Sequence, residues 1–340
     1  MGRRAVAGPA LVRPADNQES RMKPFNLFPY DSKIDFMRLG RVSLTIAALL
    51  VLGSIAAMTF KGFNFALDFT GGTVTEMRFE QPVDVDDVRA RLGEAGYGNA
   101  QVQTFGSGND LLIRVQPKGE DEEGGADQDT AREIQQALAI PGNAGTVLKS
   151  DFVGPQVGKE IAINGIWALI FVVVGFMIYI SFRFEKKFAV AATLTTLHDV
   201  VVVTGWFALS GHEFDLTVLA GILSVMGFSI NDTIVVFDRI RENFRSMRAD
   251  SRTVINAAIN QTLSRTVITS FVAILTMLAL YVYGGGSLRG LAESMLIGAV
   301  IGTLSSIFVA STLLSFGPLK VTKQDLMPKA RDEEALARRP

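Results

Sequence analysis

The stretch "FDLTVLAGILSVMGFSINDTIVVF", Phe214 to Phe237, is apolar over most of its length and carries no charge between Asp215 and Asp232. A helix of about 20 mainly apolar residues crosses roughly 30 Å of hydrocarbon, so this stretch reads as a membrane span with a carboxylate near one end. Five more runs meet the same requirement: 42–60, 161–182, 188–209, 266–283 and 291–316. The composition agrees. With 48% hydrophobic residues, 20% charged residues and a mean hydropathy of +0.29, the 340 residues hold more apolar matter than one soluble core uses. The expected class is a multi-pass α-helical membrane protein with six transmembrane helices.

Basic residues near the run ends orient the spans, because cytoplasmic loops carry the excess of lysine and arginine. Arg38 and Arg41 precede the first run, "RFEKK" (183–187) separates the second from the third, and Arg239, Arg241, Arg245, Arg248 and Arg252 follow the fourth. Lys320 and Lys323 follow the sixth, whereas the alternate connections "SGHEFD" (210–215) and "GGGSLRG" (284–290) hold only Arg289. Both termini are therefore expected in the cytoplasm, with an N-terminal segment 1–41, a loop 238–265 and a tail 317–340 on that side. Residues 1–21 lack an apolar core of signal-peptide length and are expected to be disordered.

The connection 61–160 changes to short alternating runs, the mark of an extracytoplasmic soluble domain. "TVTEMRF" (73–79), "AQVQTFG" (100–106), "DLLIRVQP" (110–117) and "GTVLKSDFVG" (145–154) read as strands, with "SGND" (107–110) turning the central pair. "DVDDVRARLGEAG" (84–96) places Val85, Val88 and Leu92 at helical spacing, and "DTAREIQQALAI" (129–140) reads as a second helix before Pro141. The order βαββαβ is that of an α+β ferredoxin-like domain. The acidic insert "KGEDEEGGADQ" (118–128) reads as a solvated loop.

Several function classes are excluded or weakened at this level. A net charge of −1 and a pI near 6.2 give no electrostatic reason for a nucleic-acid partner. Zero cysteines leave no disulfide, thiolate nucleophile or cysteine-based metal site. "GGGSLRG" lacks the strand, lysine and helix context of a phosphate-binding loop. No enzyme activity, cofactor or metal is expected.

A carboxylate inside a span costs about 2.5 to 3.5 kcal/mol on insertion scales, so it calls for a reason. Asp199 lies near the middle of the third run and Asp232 in the fourth. Gly221, Val225, Ser229 and Asp232 stack on one helix face, where small residues let a second helix approach and bury the carboxylate. Gly221, Ser229 and Asn231 are thus expected to pack near the site. Desolvation and a nearby cation act on a carboxyl's proton affinity in opposite senses, so a buried carboxylate can be poised to take and release protons. Arg265, at the start of the fifth run, is the candidate cation for Asp232; its other reading is an anchor at the positive side. His198 projects about 100° away from Asp199 on a helix and reads as a packing hydrogen bond. His212 and Glu213 read as solvated loop residues. Two aspartates on adjacent spans also suggest an intramembrane aspartyl protease, but the glycine-rich context of such a site is missing and Asp199 lies deeper than Asp232 by about a turn.

"LDFTGGTVTE" (67–76) and "GFSINDTIVVFDRIREN" (227–243), in register with this topology, resemble the SecF family, the small membrane subunits of the bacterial SecD/SecF protein-export complex in the resistance-nodulation-division class. The resemblance extends from "YDSKIDFMRLGR" (30–41) through "DFVGPQVGKE" (151–160) and "LHDV" (197–200) to "QTLSRTVITS" (261–270). It implies a subunit that uses the proton gradient, with no other cofactor, to help pull exported polypeptide across the bacterial cytoplasmic (inner) membrane. It implies that Asp232, Arg265 and Asp199 belong to the proton pathway. Asp68, Phe69, Thr70, Gly71 and Gly72 match the family's signature at the junction of first span and outer domain, a hinge or a tight strand start. The implied partners are a SecD-like subunit, a SecYEG-type channel, a YajC-like accessory protein, the translocating polypeptide and membrane lipids. The competing readings are a proton-coupled small-molecule exporter of the same class and a non-transporting scaffold of the channel.

Overall fold

The computed structural model describes residues 32, 34–98, 100–105, 109–116, 126–140 and 142–326. The segment 1–21, residues 118–125 of the acidic insert and the end of the tail lie outside them. From the N-terminus, a 3-10 turn at Phe36–Leu39 feeds α1 (Gly40–Phe60), which is followed by a two-residue strand β1 (Asn64–Phe65) and a single turn α2 (Leu67–Thr70). The α+β domain then runs β2 (Gly72–Arg78), α3 (Val85–Glu94), β3 (Gln101–Phe105), β4 (Asp110–Val115), α4 (Ala126–Ala137), a small ribbon β5 (Ala139–Ile140) and β6 (Asn143–Ala144), and β7 (Thr146–Val153). The chain re-enters the bundle as α5 (Pro155–Arg183) and α6 (Lys186–Ser210), crosses a two-residue strand β8 (Glu213–Phe214), and ends with α7 (Leu216–Ser246), α8 (Ser251–Tyr283) and α9 (Gly286–Ser305). A π turn at Ser306–Ala310 prolongs α9, so the sixth span covers Leu288–Leu313.

All six expected spans are present as helices long and apolar enough to cross a membrane. They form two groups. In α6, α7 and the sixth span, 61%, 50% and 56% of the most apolar window is buried, against 11%, 6% and 11% in α1, α5 and α8. The first three make the centre of the bundle, and the others present their apolar side chains outward, as lipid contact allows.

The stretch 238–265, expected as a loop, is helical apart from the four residues between α7 and α8. Its apolar positions explain this: Ile240, Phe244, Val254, Ile255, Ala258 and Ile259 are buried together with Phe184 and Phe188 at the ends of α5 and α6. The two helices run past the apolar windows as an amphipathic pair that buries its own core. The N-terminal strand of chain docks onto the same extension, with Ile34 N–H donating to Asn260 (3.1 Å) and Phe36 N–H to Asn256 (2.8 Å). Likewise α5 starts before its apolar run because Pro155 occupies its first turn, where a proline's fixed φ suits a helix start.

The α+β domain has the sheet order β3-β4-β2-β7, antiparallel throughout. With α3 and α4 packed on one face around Met77, Phe79, Leu92, Ile113, Ile134 and Leu138, this is the expected ferredoxin-like arrangement. The Asp84 side chain accepts from the Asp86 N–H at 2.9 Å to start α3, and Val88 and Leu92 are fully buried.

"LDFT" forms α2, and Gly71 (φ 68°) and Gly72 (φ 119°) turn the chain into β2. A Cβ on Gly71 would sit 2.6 Å from Pro155 Cα, and one on Gly72 would sit 2.5 Å from the Val115 carbonyl oxygen. Both glycines are needed for backbone angle and for space. Gly72→Ala is therefore expected to cost about 1–3 kcal/mol locally, seen as faster amide hydrogen exchange across β2 and β4. Unchanged exchange there would refute the packing account.

Candidate functional site

The centre of the bundle is set by how closely α7 and α9 approach. A Cβ on Gly221 would run into Ser294, one on Gly298 into Val225, and one on Gly302 would meet Ser229 Cβ at 3.0 Å. Each helix thus offers a small residue where the other offers a larger one, at spacings of four, the geometry that lets backbones pack tightly in a membrane.

Asp199 on α6 is fully buried, and Asp232 on α7 is 3% exposed. Asp199 accepts hydrogen bonds from the hydroxyls of Ser229 on α7 and Ser305 on α9, the latter at 2.8 Å. Its other oxygen lies 2.9 Å from His198 Nδ1. The His198 ring is itself mostly buried, and among the described residues its Nε2 has no partner. Asp232 accepts from the Ser270 hydroxyl of α8 at 3.4 Å, and Ser270 in turn accepts from Thr303 of α9 at 2.6 Å. One helix, α9, therefore reaches both carboxylates, through Ser305 and through Thr303 with Ser270. The π turn begins immediately after Ser305, an irregularity that often accompanies function.

These partners revise the expected pairing. Ser229 shares a face with Asp232 but serves Asp199, because it points across the α6–α7 contact. Gly221 packs against α9 as expected, whereas Asn231 is exposed. Arg265 lies on the exposed side of α8, and among the described residues its guanidinium makes no hydrogen bond or ion pair. It makes no direct bond to Asp232 within this chain, though its charge acts on that carboxyl. His198 does bond to Asp199 as a neighbour, while His212 and Glu213 are not free loop residues: His212 Nδ1 lies 2.6 Å from Glu293, and Glu213 pairs with Arg114. Asp68 accepts from the Leu216 N–H at 3.1 Å, and the Phe69 ring joins Phe65 and Phe214. Thr70 Oγ1 bonds to the Ala66 carbonyl at 3.2 Å, closing α2 on itself.

Ser270, Thr303 and Ser305 were not singled out from the sequence. Hydroxyl residues occur in every span, and many bond only to their own helix backbone, as Ser224 does to the Ala220 carbonyl at 2.8 Å. The available signal was density: "GTLSS" (302–306) sets three hydroxyls in four residues of an apolar run. A hydroxyl is both a donor and an acceptor. Two buried carboxyls surrounded by hydroxyls can therefore be held in either charge state by rotation of O–H bonds, without moving a heavy atom.

The family profile described as "Protein export membrane protein SecD/SecF, C-terminal" matches residues 134–317, and the one described as "SecD/SecF GG Motif" matches residues 56–83. The protein translocase subunit SecF of Pseudomonas aeruginosa is 42% identical over 301 residues, covering 88% of this chain and 96% of that one. The SecF of Escherichia coli O157:H7 is 41% identical over 281 residues, covering 82% and 86%. The crystal structure of SecDF, a translocon-associated membrane protein from Thermus thermophilus, superposes with a TM-score of 0.75 at 36% identity over 85% of this chain. The chain spans 39% of that SecDF chain.

Removing one donor from a buried carboxylate leaves it underbonded, at a cost of about 1–3 kcal/mol. Ser305→Ala is accordingly expected to lower the thermal unfolding temperature of the chain in detergent, while Ser224→Ala on the exposed side of α7 leaves it unchanged. Equal stability of the two variants would mean that Ser305 contributes nothing to holding Asp199.

Proposed function

Because this chain belongs to the SecF family of protein translocase subunits, we propose that it is an accessory subunit of the Sec export machinery that uses the proton motive force, together with a SecD-like partner, to complete movement of polypeptides across the bacterial cytoplasmic membrane. The observation that carries the mechanism is the pair of buried carboxyls, Asp199 and Asp232, held by hydroxyls that all belong to the central spans α7 and α9 and to α8. Such groups are costly in a bilayer unless they are used. Asp232 and Asp199 take up and release protons, and the proton on or off each one decides how the central helices attract or repel polar groups around them. One charge moved across 100 mV makes available about 2.3 kcal/mol, enough to bias a two-conformation element more than tenfold.

Arg265 acts on Asp232 from the outer side of α8. An exposed guanidinium on a membrane-spanning helix is unfavourable against lipid and is relieved by a carboxylate on a facing surface. A SecD-like subunit supplies that surface in this reading, and the low burial of α1, α5 and α8 leaves room for it. The positive residues at the ends of the spans favour both termini in the cytoplasm and the α+β domain outside. Contacts with a SecYEG-type channel and a YajC-like protein are part of the same proposal. The chain itself carries out no covalent chemistry in this scheme, and the gradient is its only energy source.

The small-molecule exporter reading shares the proton chemistry and differs in cargo. Family membership favours polypeptide, and a domain of one four-stranded sheet with two helices is small for enclosing a drug.

The test is proton-motive-force-dependent completion of export in vesicles that contain this chain and its SecD-like partner. Asp232→Asn and Arg265→Met are expected to assemble normally and to export at the rate seen without a gradient, and Asp199→Asn to lose most of the stimulation. Normal export by assembled Asp232→Asn would make that aspartate structural and overturn the mechanism.

A further inference from the structure

The end of the bundle nearest the α+β domain contains a set of contacts that the proton site does not use. The connection between α6 and α7 is five residues, Gly211 to Asp215, and it is fastened on every side. His212 and Trp206 converge on the buried Glu293 of α9, at 2.6 and 2.9 Å. Glu213 and Phe214 form β8, which pairs in parallel with β1. The Phe214 ring sits among Phe63, Phe65, Phe69 and Phe207. Asp215 starts α7 by accepting from the Val218 N–H at 2.7 Å.

Into this connection reaches one cation from the domain's own sheet. Arg114 lies on β4 between Ile113 and Val115, whose side chains face the domain core; alternation along a strand sends Arg114 to the opposite face. There it is 9% exposed and donates to the Phe65 carbonyl at 2.9 Å, to the Gln101 side chain at 3.4 Å and to the Glu213 carboxylate, with which it forms an ion pair. Burial draws its proton affinity below that of an ordinary arginine, and the charge of Asp68 works the other way. A buried cation of this kind is costly when its counter-ion is removed.

We infer that the Arg114–Glu213 ion pair is the contact through which movement of α7, the helix that carries Asp232, reaches the α+β domain. The inference rests on the proton-coupled reading above and assigns both residues a positioning role outside the proton path. The two covalent crossings between domain and bundle lead to α1 and α5, which are peripheral and carry neither carboxyl. The helix with the proton site is reached instead through its preceding connection. From Leu216 to Asp232 is one uninterrupted helix, about 24 Å long at 1.5 Å per residue, and a helix shifts along its axis as a unit. Asp68 on the Leu216 N–H holds the junction to the tip of this rod, and Arg114 on Glu213 holds the sheet to it. A displacement of α7 that follows protonation would be passed to the sheet by the ion pair.

The experiment uses vesicles containing the assembled complex and reads two quantities in the same sample: export driven by the proton gradient, and proton flux reported by a trapped pH-sensitive dye. The variants are Arg114→Gln, Glu213→Gln and the exchanged pair Arg114→Glu with Glu213→Arg. Glu213→Gln keeps the size and shape of the side chain and so tests the charge with the fold intact. Each single variant is expected to lose gradient-driven export by at least about tenfold while proton flux stays within twofold of wild type, and the exchanged pair to recover export. A purely structural contact would reduce both quantities together, and that result would overturn the inference, as would wild-type export in both single variants. Normal export by Asp232→Asn would instead defeat the proton reading, a separate arm of the same assay.

Discussion

The close approach of α7 and α9 is the constraint on which the rest of this protein depends. Helices in lipid gain nothing from hydrophobic burial against each other, so they associate where small residues let backbones touch and polar groups bond across the gap. Gly221, Gly298 and Gly302 open that gap. Once the backbones are near, Ser229 and Ser305 lie within reach of Asp199, and Thr303 within reach of the Ser270 that bonds Asp232. A larger residue at Gly298 or Gly302 would push α9 away and disturb the hydroxyls it sends toward the carboxyls, Ser305 to Asp199 and Thr303 to Ser270. The packing seam and the polar network are thus one feature: neither is affordable without the other.

The same economy explains the division between central and peripheral spans. The polar burden is confined to α6, α7 and α9, which are half or more buried along their apolar windows, together with the one face of α8 that carries Ser270. Arg265 aside, the remaining surfaces of α1, α5 and α8 along their apolar windows are mostly apolar and face outward. The domain follows a similar plan. Its core is closed by its own helices, its strand start is locked by Gly71 and Gly72 against backbone, and its sheet reaches the α6–α7 connection through Arg114, on the side away from that core.

How much of this could be read from the residues depends on the physical range of each signal. Span number and the βαββαβ order were legible because hydrophobic length and periodicity are local: Val88 and Leu92 are buried where helical spacing puts them, and the apolar runs are helices. The end of α7 was not, since Ile240 and Phe244 are too sparse for a hydropathy window and are buried only because Val254, Ile255 and Ile259 return to meet them. Helical spacing correctly put Ser229 on a small-residue face but could not say which neighbour the face addresses, and so assigned it to the nearer aspartate. His212 and Glu213 look like solvated loop residues in sequence. Their partners Glu293 and Arg114 are 81 and 99 positions away, and nothing in a five-residue connection announces them.

Arg265 shows where a single chain stops being a sufficient description. Its motif, "LSRT", suggested a partner for Asp232, and the level along the helix is suitable, being five residues from the Ser270 that does bond that carboxyl. Five residues on a helix turn the side chain by about 500°, or 140° away from Ser270, so a residue chosen for Asp232 by depth is turned off by rotation. Its charge acts on Asp232 without a hydrogen bond or ion pair, and a cation on the outer side of a span is favoured by a counter-charge on a facing surface. An α8 cation that faces outward, on a bundle whose two carboxyls are bonded inward by hydroxyls, has the electrostatics of a surface that a second bundle would complete.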